Sequence, residues 1–279
     1  MPSINTNVAA IKARSSLDKV QRELDTSITR LSSGKRITRA HDDASGSSIS
    51  GRMESQIRGL SMNIRSAKDG QALVDTQEGA LQEIANILQR MRELAVQASS
   101  GTVNQNTEDK DYLQLEVTQL IREVDAIGSN TRFNDTRLMT GATFSFYTDI
   151  DASGTSIDTI AVAATAASIG ITSTTVSIGS GTLTAGSVQA VIVLVDSALG
   201  SIASFRANLG AISNRFDHVI DNLTNVVANT EGAKSRVEDA DFAVETTQLT
   251  RNTILQQSAT TMIAQANSAK NSILALIQG

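Results

Sequence analysis

The residues best equipped for chemistry are few, and their spacing defeats the obvious chemistries in turn. Gly34-Lys35 invites a phosphate-loop reading. That loop needs Gly five positions earlier and Ser or Thr after the Lys, where Thr29 and Arg36 stand. His41-Asp42-Asp43 puts three metal-ligating side chains in a row. Adjacent residues do not all face one ion, so Asp42 or Asp43 reads instead as the cap of a helix starting near Ala44. The only other histidine, His218, sits between Asp217 and Val219 beside an apolar stripe and reads as helix flank rather than base. No His-Glu-x-x-His motif is present, and with no Cys in the chain thiolate sites, disulfides and Cys nucleophiles are excluded. No catalytic residue, metal or cofactor is expected.

What remains points to binding. Gln89 to Gln97 is the densest polar and apolar helix face in the chain, with Arg90 and Leu94 one turn apart. Such a ridge can serve as an interaction hot spot, but the sequence alone favours an ordinary pair on a helix flank. Asn134-Asp-Thr136 and Asn222-Leu-Thr224 match the glycosylation tripeptide, a short motif of low specificity.

These residues lie on elements with a strong helical period. Apolar positions run Leu60, Ile64, Ala67, Val74, Leu81, Ile84, Leu88, Met91, Ala95 and Ala98, a coiled-coil seam that Gly101 and Asn104 should end. A shorter stripe follows from Leu113 to Ile127. Near the start, Ile4, Val8, Ile11, Leu17, Val20, Leu24, Ile28 and Leu31 form another, stopped by Ser32-Ser-Gly34. Ile192 to Val226 repeats the pattern, and Leu255, Ala259, Met262, Ala266, Ala269, Ile273 and Leu276 alternate steps of four and three. The middle differs in kind. Phe144/Phe146, Ile160/Val162, Ile169/Ile171 and Val176/Ile178 alternate at period two, and Ser180-Gly181 offers a turn, which predicts short strands or a hairpin. The fold class is mainly α, in the order helix, helix, helix, small β region, helix, helix.

Composition agrees. The chain has 279 residues, 40% hydrophobic but only 3% aromatic, which favours thin helical layers over a thick core. Its one Pro, at position 2, leaves the rest free of the strongest helix breaker. Residues 1–65 carry eleven Lys or Arg against six Asp or Glu in a chain of net charge -5. Those bases are interleaved with Asp18, Glu23 and Asp25 and lack aromatic neighbours, so a solvated or inter-subunit face is expected, not nucleic acid. The charge-free run between Asp158 and Asp196 is broken throughout by Ser, Thr and Gly, so no membrane helix is expected. The first residues lack the apolar core of a signal peptide, which predicts either a cytoplasmic chain or export by another route. Stripes too long to bury alone call for further copies of the molecule.

Specific motifs then carry a resemblance. Ile4-Asn-Thr-Asn7, Leu31-Ser-Ser-Gly-Lys-Arg-Ile37, Asp42-Asp-Ala44, Leu88 to Ala98, Leu209 to Phe216, Asn222 to Asn229 and Asp239-Ala-Asp-Phe-Ala243 appear in order. With Leu255-Gln-Gln257 and Ala264-Gln-Ala-Asn267, they span both terminal thirds, and the chain closely resembles bacterial flagellin in a short form without large outer domains. His41 stands where that family usually has Lys, and no Pro lies near Ala269 or Lys270, which leaves the last helix free to continue. The resemblance implies long coiled-coil hairpins from both termini. Residues 1–44 and 236–279 would form an inner coiled-coil core domain, and residues 45–235 a rod-like domain with a small β region at about 140–185.

The function so implied is a structural subunit of the extracellular flagellar filament; a flagellin-like hook–filament junction protein is the alternative. Subunit packing would fall to Ile11, Leu24, Leu31, Leu255, Met262 and Ile273. Implied partners are further copies, an export chaperone, the filament cap and hook-associated junction proteins. A vertebrate innate immune receptor would read Arg90, Leu94, Gln97 and Glu116. An enzyme in the central region is disfavoured, because residues 140–190 hold no His, Lys or Arg. A signalling coiled coil is disfavoured by the β insertion.

Overall fold

The computed structural model describes residues 6–100, 108–149, 156–179 and 185–278, and the side-chain surroundings of all these except 185–187 and 270–278. Among them are five helices: α1 (Val8–Ser33), α2 (Ala44–Ser99), α3 (Glu108–Asn130), α4 (Ala185–Glu238) and α5 (Phe242–Gln278). Two small antiparallel ribbons lie between α3 and α4, pairing β1 (Arg132–Phe133) with β2 (Thr136–Arg137) and β3 (Ser145–Tyr147) with β4 (Ser156–Asp158). The expected order of helices around a small β region holds. The chain forms two compact units, residues 1–57 with 228–279 and residues 58–227. Their bounds fall at other positions than 44/45 and 235/236.

Local chemistry explains the helix ends. α1 stops because Gly34 takes φ 72°, a left-handed conformation that costs glycine little, and its N–H bonds back to the Arg30 carbonyl at 2.8 Å. α2 starts where Asp43 accepts from the Gly46 N–H at 2.8 Å, the cap expected there. Asp241 caps α5 in the same way, accepting from the Ala243 N–H at 2.8 Å. With no Pro to stop it, α5 runs unbroken past Ala269 and Lys270 to Gln278.

The unit of residues 58–227 owes its core to the long seam. Ala67, Val74, Leu81, Ile84, Leu88, Met91, Ala95 and Ala98 on α2 are all buried, against Val117, Ile121 and Val124 of α3 and Val191, Val195, Ile202, Leu209 and Phe216 of α4. Arg92 meets Asp196 at 2.7 Å, Arg206 meets Glu78 at 3.4 Å, and Gln71 donates to Asp217 at 2.9 Å. Positions rise on α2 as they fall on α4, so the two run antiparallel. By length and composition α4 is apolar enough to cross a membrane, with a mean hydropathy of 1.8 over 18 residues. One face of that stretch (Val188, Val191, Val195, Ala198 and Ile202) is buried inside the unit.

The β region differs from expectation. Of the period-two pairs, Phe146 lies in β3 and Phe144 just before it. Ile160/Val162, Ile169/Ile171 and Val176/Ile178 lie in no strand, and Ser180-Gly181 is outside the described residues. Val162, Ile171, Val176 and Ile178 are nonetheless fully buried. Local turns and helix side chains satisfy the backbone here. The Ile171 N–H bonds to the Ala166 carbonyl at 2.8 Å and the Val176 N–H to the Thr172 carbonyl at 2.9 Å, and the Val162 carbonyl accepts from the Gly141 N–H at 3.0 Å. Asp125 accepts from the Ala166 N–H at 2.8 Å, and Gln114 accepts from the Ile178 N–H while donating to the Val176 carbonyl at 3.3 Å. This close seating needs Gly128, where a Cβ would lie 2.8 Å from the Ala164 carbonyl oxygen. β1 and β2 lie before the expected β region of about 140–185. Asn134 and Asp135 both take positive φ, 47° and 61°, as a tight two-residue hairpin requires.

Candidate assembly interface

In the unit of residues 1–57 and 228–279, α1 and α5 pack side by side along most of α1. Arg30 meets Glu245 at 2.9 Å, Gln256 donates to Gln21 at 2.6 Å, and Asn7 donates to the Ala266 carbonyl at 3.1 Å. One helix advances as the other recedes, so the pair is antiparallel. On α1 the less exposed positions are Ala10, Ala13, Leu17, Val20, Leu24, Ser27 and Leu31. On α5 they are Glu245, Leu249, Asn252, Gln256, Ala259, Ile263 and Ala266. Both sets keep the steps of three and four of a coiled-coil seam.

This seam only partly coincides with the expected one. Leu24 and Leu31 are half-buried on it. Ile11, Leu255 and Met262 are 59%, 44% and 63% exposed, off the seam and facing outward. Ile273 lies in α5, but its side chain falls outside the described residues. Val8, Ile28, Phe242, Val244 and Ile254 are also exposed. The physical reason is that several of the least exposed seam positions are polar: Ser27, Glu245 and Asn252 are each buried. Apolar residues that the stripes placed between these two helices are therefore left on the outside of the pair.

A second feature escaped the sequence. The links joining α1 to α2 and α4 to α5 are tied together, with Arg36 N–H bonding to the Glu238 carbonyl at 2.7 Å and Ala240 N–H to the Gly34 carbonyl at 2.9 Å. The buried Glu238 carboxylate takes an ion pair from Lys35, a hydrogen bond from Ser50 at 2.6 Å and a longer contact from Lys234 at 3.9 Å. Lys234 also pairs with Glu54. The Lys35 hydrogen bond, then that of Ser50, hold the Glu238 carboxyl below its ordinary range. The same Glu238 contact holds the Lys35 ammonium above its ordinary value. Asp42 is lowered by the Arg39 N–H it accepts at 3.0 Å, then by Thr38, which makes it a turn-former rather than a ligand. Among the described residues no group of three metal-ligating side chains converges. Only the i, i+4 spacing of Lys234 and Glu238 hinted at the clasp in the sequence.

The receptor residues lie in the other unit. Arg90 Nε donates to Glu116 at 3.0 Å and its Nη1 to Glu93 at 3.2 Å, so α2 and α3 do bring Arg90 and Glu116 together. Gln97 is exposed. Leu94 is a correction: it was expected on the same open face, but it is 0% exposed and belongs to the core cluster, because it continues the buried side of α2 beside Met91, Ala95 and Ala98.

Residues 4–143 match the family model for the bacterial flagellin N-terminal helical region, and residues 192–277 match that for its C-terminal helical region. The chain belongs to the bacterial flagellin family. Flagellin FlaB2 of Treponema pallidum (strain Nichols) is 37% identical over 290 residues, covering 99% of each chain. The flagellar filament 33 kDa core protein of Treponema phagedenis is 35% identical over 290 residues, again covering 99% of each. The crystal structure of Bacillus cereus flagellin, 32% identical, covers 60% of this chain and 94% of its own at a TM-score of 0.49. Both flagellin regions are thus present here.

Proposed function

We propose that this chain is the structural subunit of an extracellular flagellar filament used for motility, built by self-assembly. The observation that carries the reading is the outward apolar set on α1 and α5, with Ile11, Leu255 and Met262 all largely exposed. A helix pair that turns such residues to solvent has packing left unfinished, and identical copies finish it in a helical polymer. In this reading residues 1–44 and 236–279 form a coiled-coil core domain and residues 45–235 a rod-like domain. Its finer partners are an export chaperone for the C-terminal arm, the cap at the growing tip and the hook-associated junction proteins. Arg90, Glu116 and Gln97 form the surface offered to a vertebrate innate immune receptor, with Leu94 supporting it from beneath. Seeded polymerisation of the purified full-length chain, viewed by electron microscopy, tests the proposal. Long filaments are expected; a chain that stays monomeric under every seeding and precipitation condition overturns it.

A further inference from the structure

Of the six Phe in the chain, five are buried or half-buried. Phe242, the first residue of α5, is 62% exposed. A single exposed apolar side chain is ordinary, so exposure alone assigns it nothing. Its surroundings say more. Val244, two residues on, is 52% exposed, and the exposed acids Asp239 and Asp241 stand just before the ring. Lys35, which feels Asp239, is already paired with Glu238. The start of α5 is thus an aromatic knob with acidic flanks.

A matching notch lies in the same unit, between α1 and its link to α2. Arg22, Asp25 and Thr29 form one wall, and Arg39, His41 and Asp42 the other. Its volume is about 320 Å³, and about 150 Å³ is enough to take a benzene ring. The Thr26 and Thr29 hydroxyls bond to the Arg22 and Asp25 carbonyls at 2.8 Å each, which leaves their methyl groups for contact. The carboxylates of the notch are engaged. Asp25 accepts from Gln21 at 3.2 Å, and Asp42 meets the Thr38 and Arg39 N–H groups and His41. The Arg22 and Arg39 guanidiniums, by contrast, have no partner among the described residues. Two unpaired guanidiniums beside a ring-sized space complement an aromatic flanked by acids.

The knob does not reach the notch of its own chain. Arg22, Asp25 and Thr29 fall on the side of α1 opposite the seam residues Leu24, Ser27 and Leu31, and α5 packs on the seam side. We infer that Phe242 of one copy seats in the Arg22–Arg39 notch of a second copy, with Asp239 and Asp241 facing the two guanidiniums. Knob and notch occupy different faces, so each copy gives its knob to one neighbour and its notch to another. A head-to-tail contact of this kind propagates into an open helical polymer. It rests on the assembly reading above and names one contact within it.

The test places p-benzoylphenylalanine at position 242 and dopes that full-length chain into growing filaments of the unmodified one. The group keeps an aromatic ring and cross-links under ultraviolet light to whatever it touches. Heavy nitrogen in one of the two chains lets mass spectrometry separate adducts between copies from adducts within one. Adducts on residues 22–29 or 38–42 of another copy are expected. Phe242→Ala, and separately R22A/R39A, should raise the concentration needed for seeded growth by about tenfold or more. The contact is overturned if adducts fall within one copy or on other segments, if none form in filaments, or if Phe242→Ala assembles like the parent. Failure of the unmodified chain to polymerise would instead sink the assembly reading.

Discussion

Leu94→Ala and Arg90→Ala, made separately, should have opposite consequences. The sequence makes these residues one ridge; the structure puts Leu94 at 0% exposure in the core and leaves Arg90 at the surface on Glu116 and Glu93. Removing a fully buried Leu side chain costs about 2–5 kcal/mol, the spread reflecting how far the site collapses. Leu94 lies five residues before the end of α2 at Ser99, where the helix relaxes more readily than at its middle. The lower half of the range, about 3 kcal/mol, is therefore expected. With a denaturant slope of about 2 kcal/mol per molar urea, the midpoint should fall by about 1.5 M. Arg90→Ala removes exposed ion pairs, which contribute little to folding, and should leave the midpoint in place. Circular dichroism of the monomer in urea reads both. Receptor signalling, measured on monomer at a temperature where both variants are folded, should fall with Arg90→Ala and hold with Leu94→Ala. A loss below about 1 kcal/mol for Leu94→Ala would refute the burial argument. Unchanged signalling by Arg90→Ala would defeat the receptor assignment alone.

Deleting residues 256–279 should abolish polymerisation while the unit of residues 58–227 stays folded, because the lost segment carries Met262 and the far half of the α5 seam; long filaments from the truncated chain would contradict this. Gly128→Ala should cost about 1–3 kcal/mol in chemical unfolding, since the new methyl meets the Ala164 carbonyl oxygen at 2.8 Å and backbone must move. Glu238 has a folded-state pKa below its unfolded one, so its contribution is complete above the ordinary carboxylate range and is lost as pH falls through the lowered value. Lys35 is raised, so its contribution is complete below 10.5 and is lost as pH rises through the higher folded value. Glu238→Gln should flatten the acid limb of a pH–stability curve; an unchanged acid limb would show that the clasp is not its origin. O-linked sugars, if the filament is modified, should be found by mass spectrometry on exposed hydroxyls of the central region such as Ser173, Thr174 and Thr175, and sugars on residues 1–44 would count against it.

What the chain order determined by itself is whatever depends on near neighbours. Spacing along α2 predicts a seam whose members, from Ala67 to Ala98, are buried almost without exception. Helix ends at Gly34 and Asp43 follow from one left-handed glycine and one short acceptor side chain. Family membership follows from motifs in both terminal thirds. These signals are local, because helical period and capping involve residues within a few positions of one another.

Tertiary structure decided which face meets which neighbour. A regular stripe from Leu255 to Leu276 reads as the seam; Ala259 and Ala266 do lie on it, yet Leu255 and Met262 face outward while Gln256, bonded to Gln21, and Ile263 take the inner positions. Glu238 gathers Lys35, Ser50 and Lys234 from three separate stretches, a convergence no spacing rule reaches. Ile171, Val176 and Ile178 are buried as strand residues would be, but turn carbonyls of Ala166 and Thr172 take the Ile171 and Val176 N–H groups, and the Gln114 side chain takes that of Ile178. Period records only that alternate side chains go inside. Whether a strand or a helix side chain pairs with the backbone depends on what the fold brings beside it.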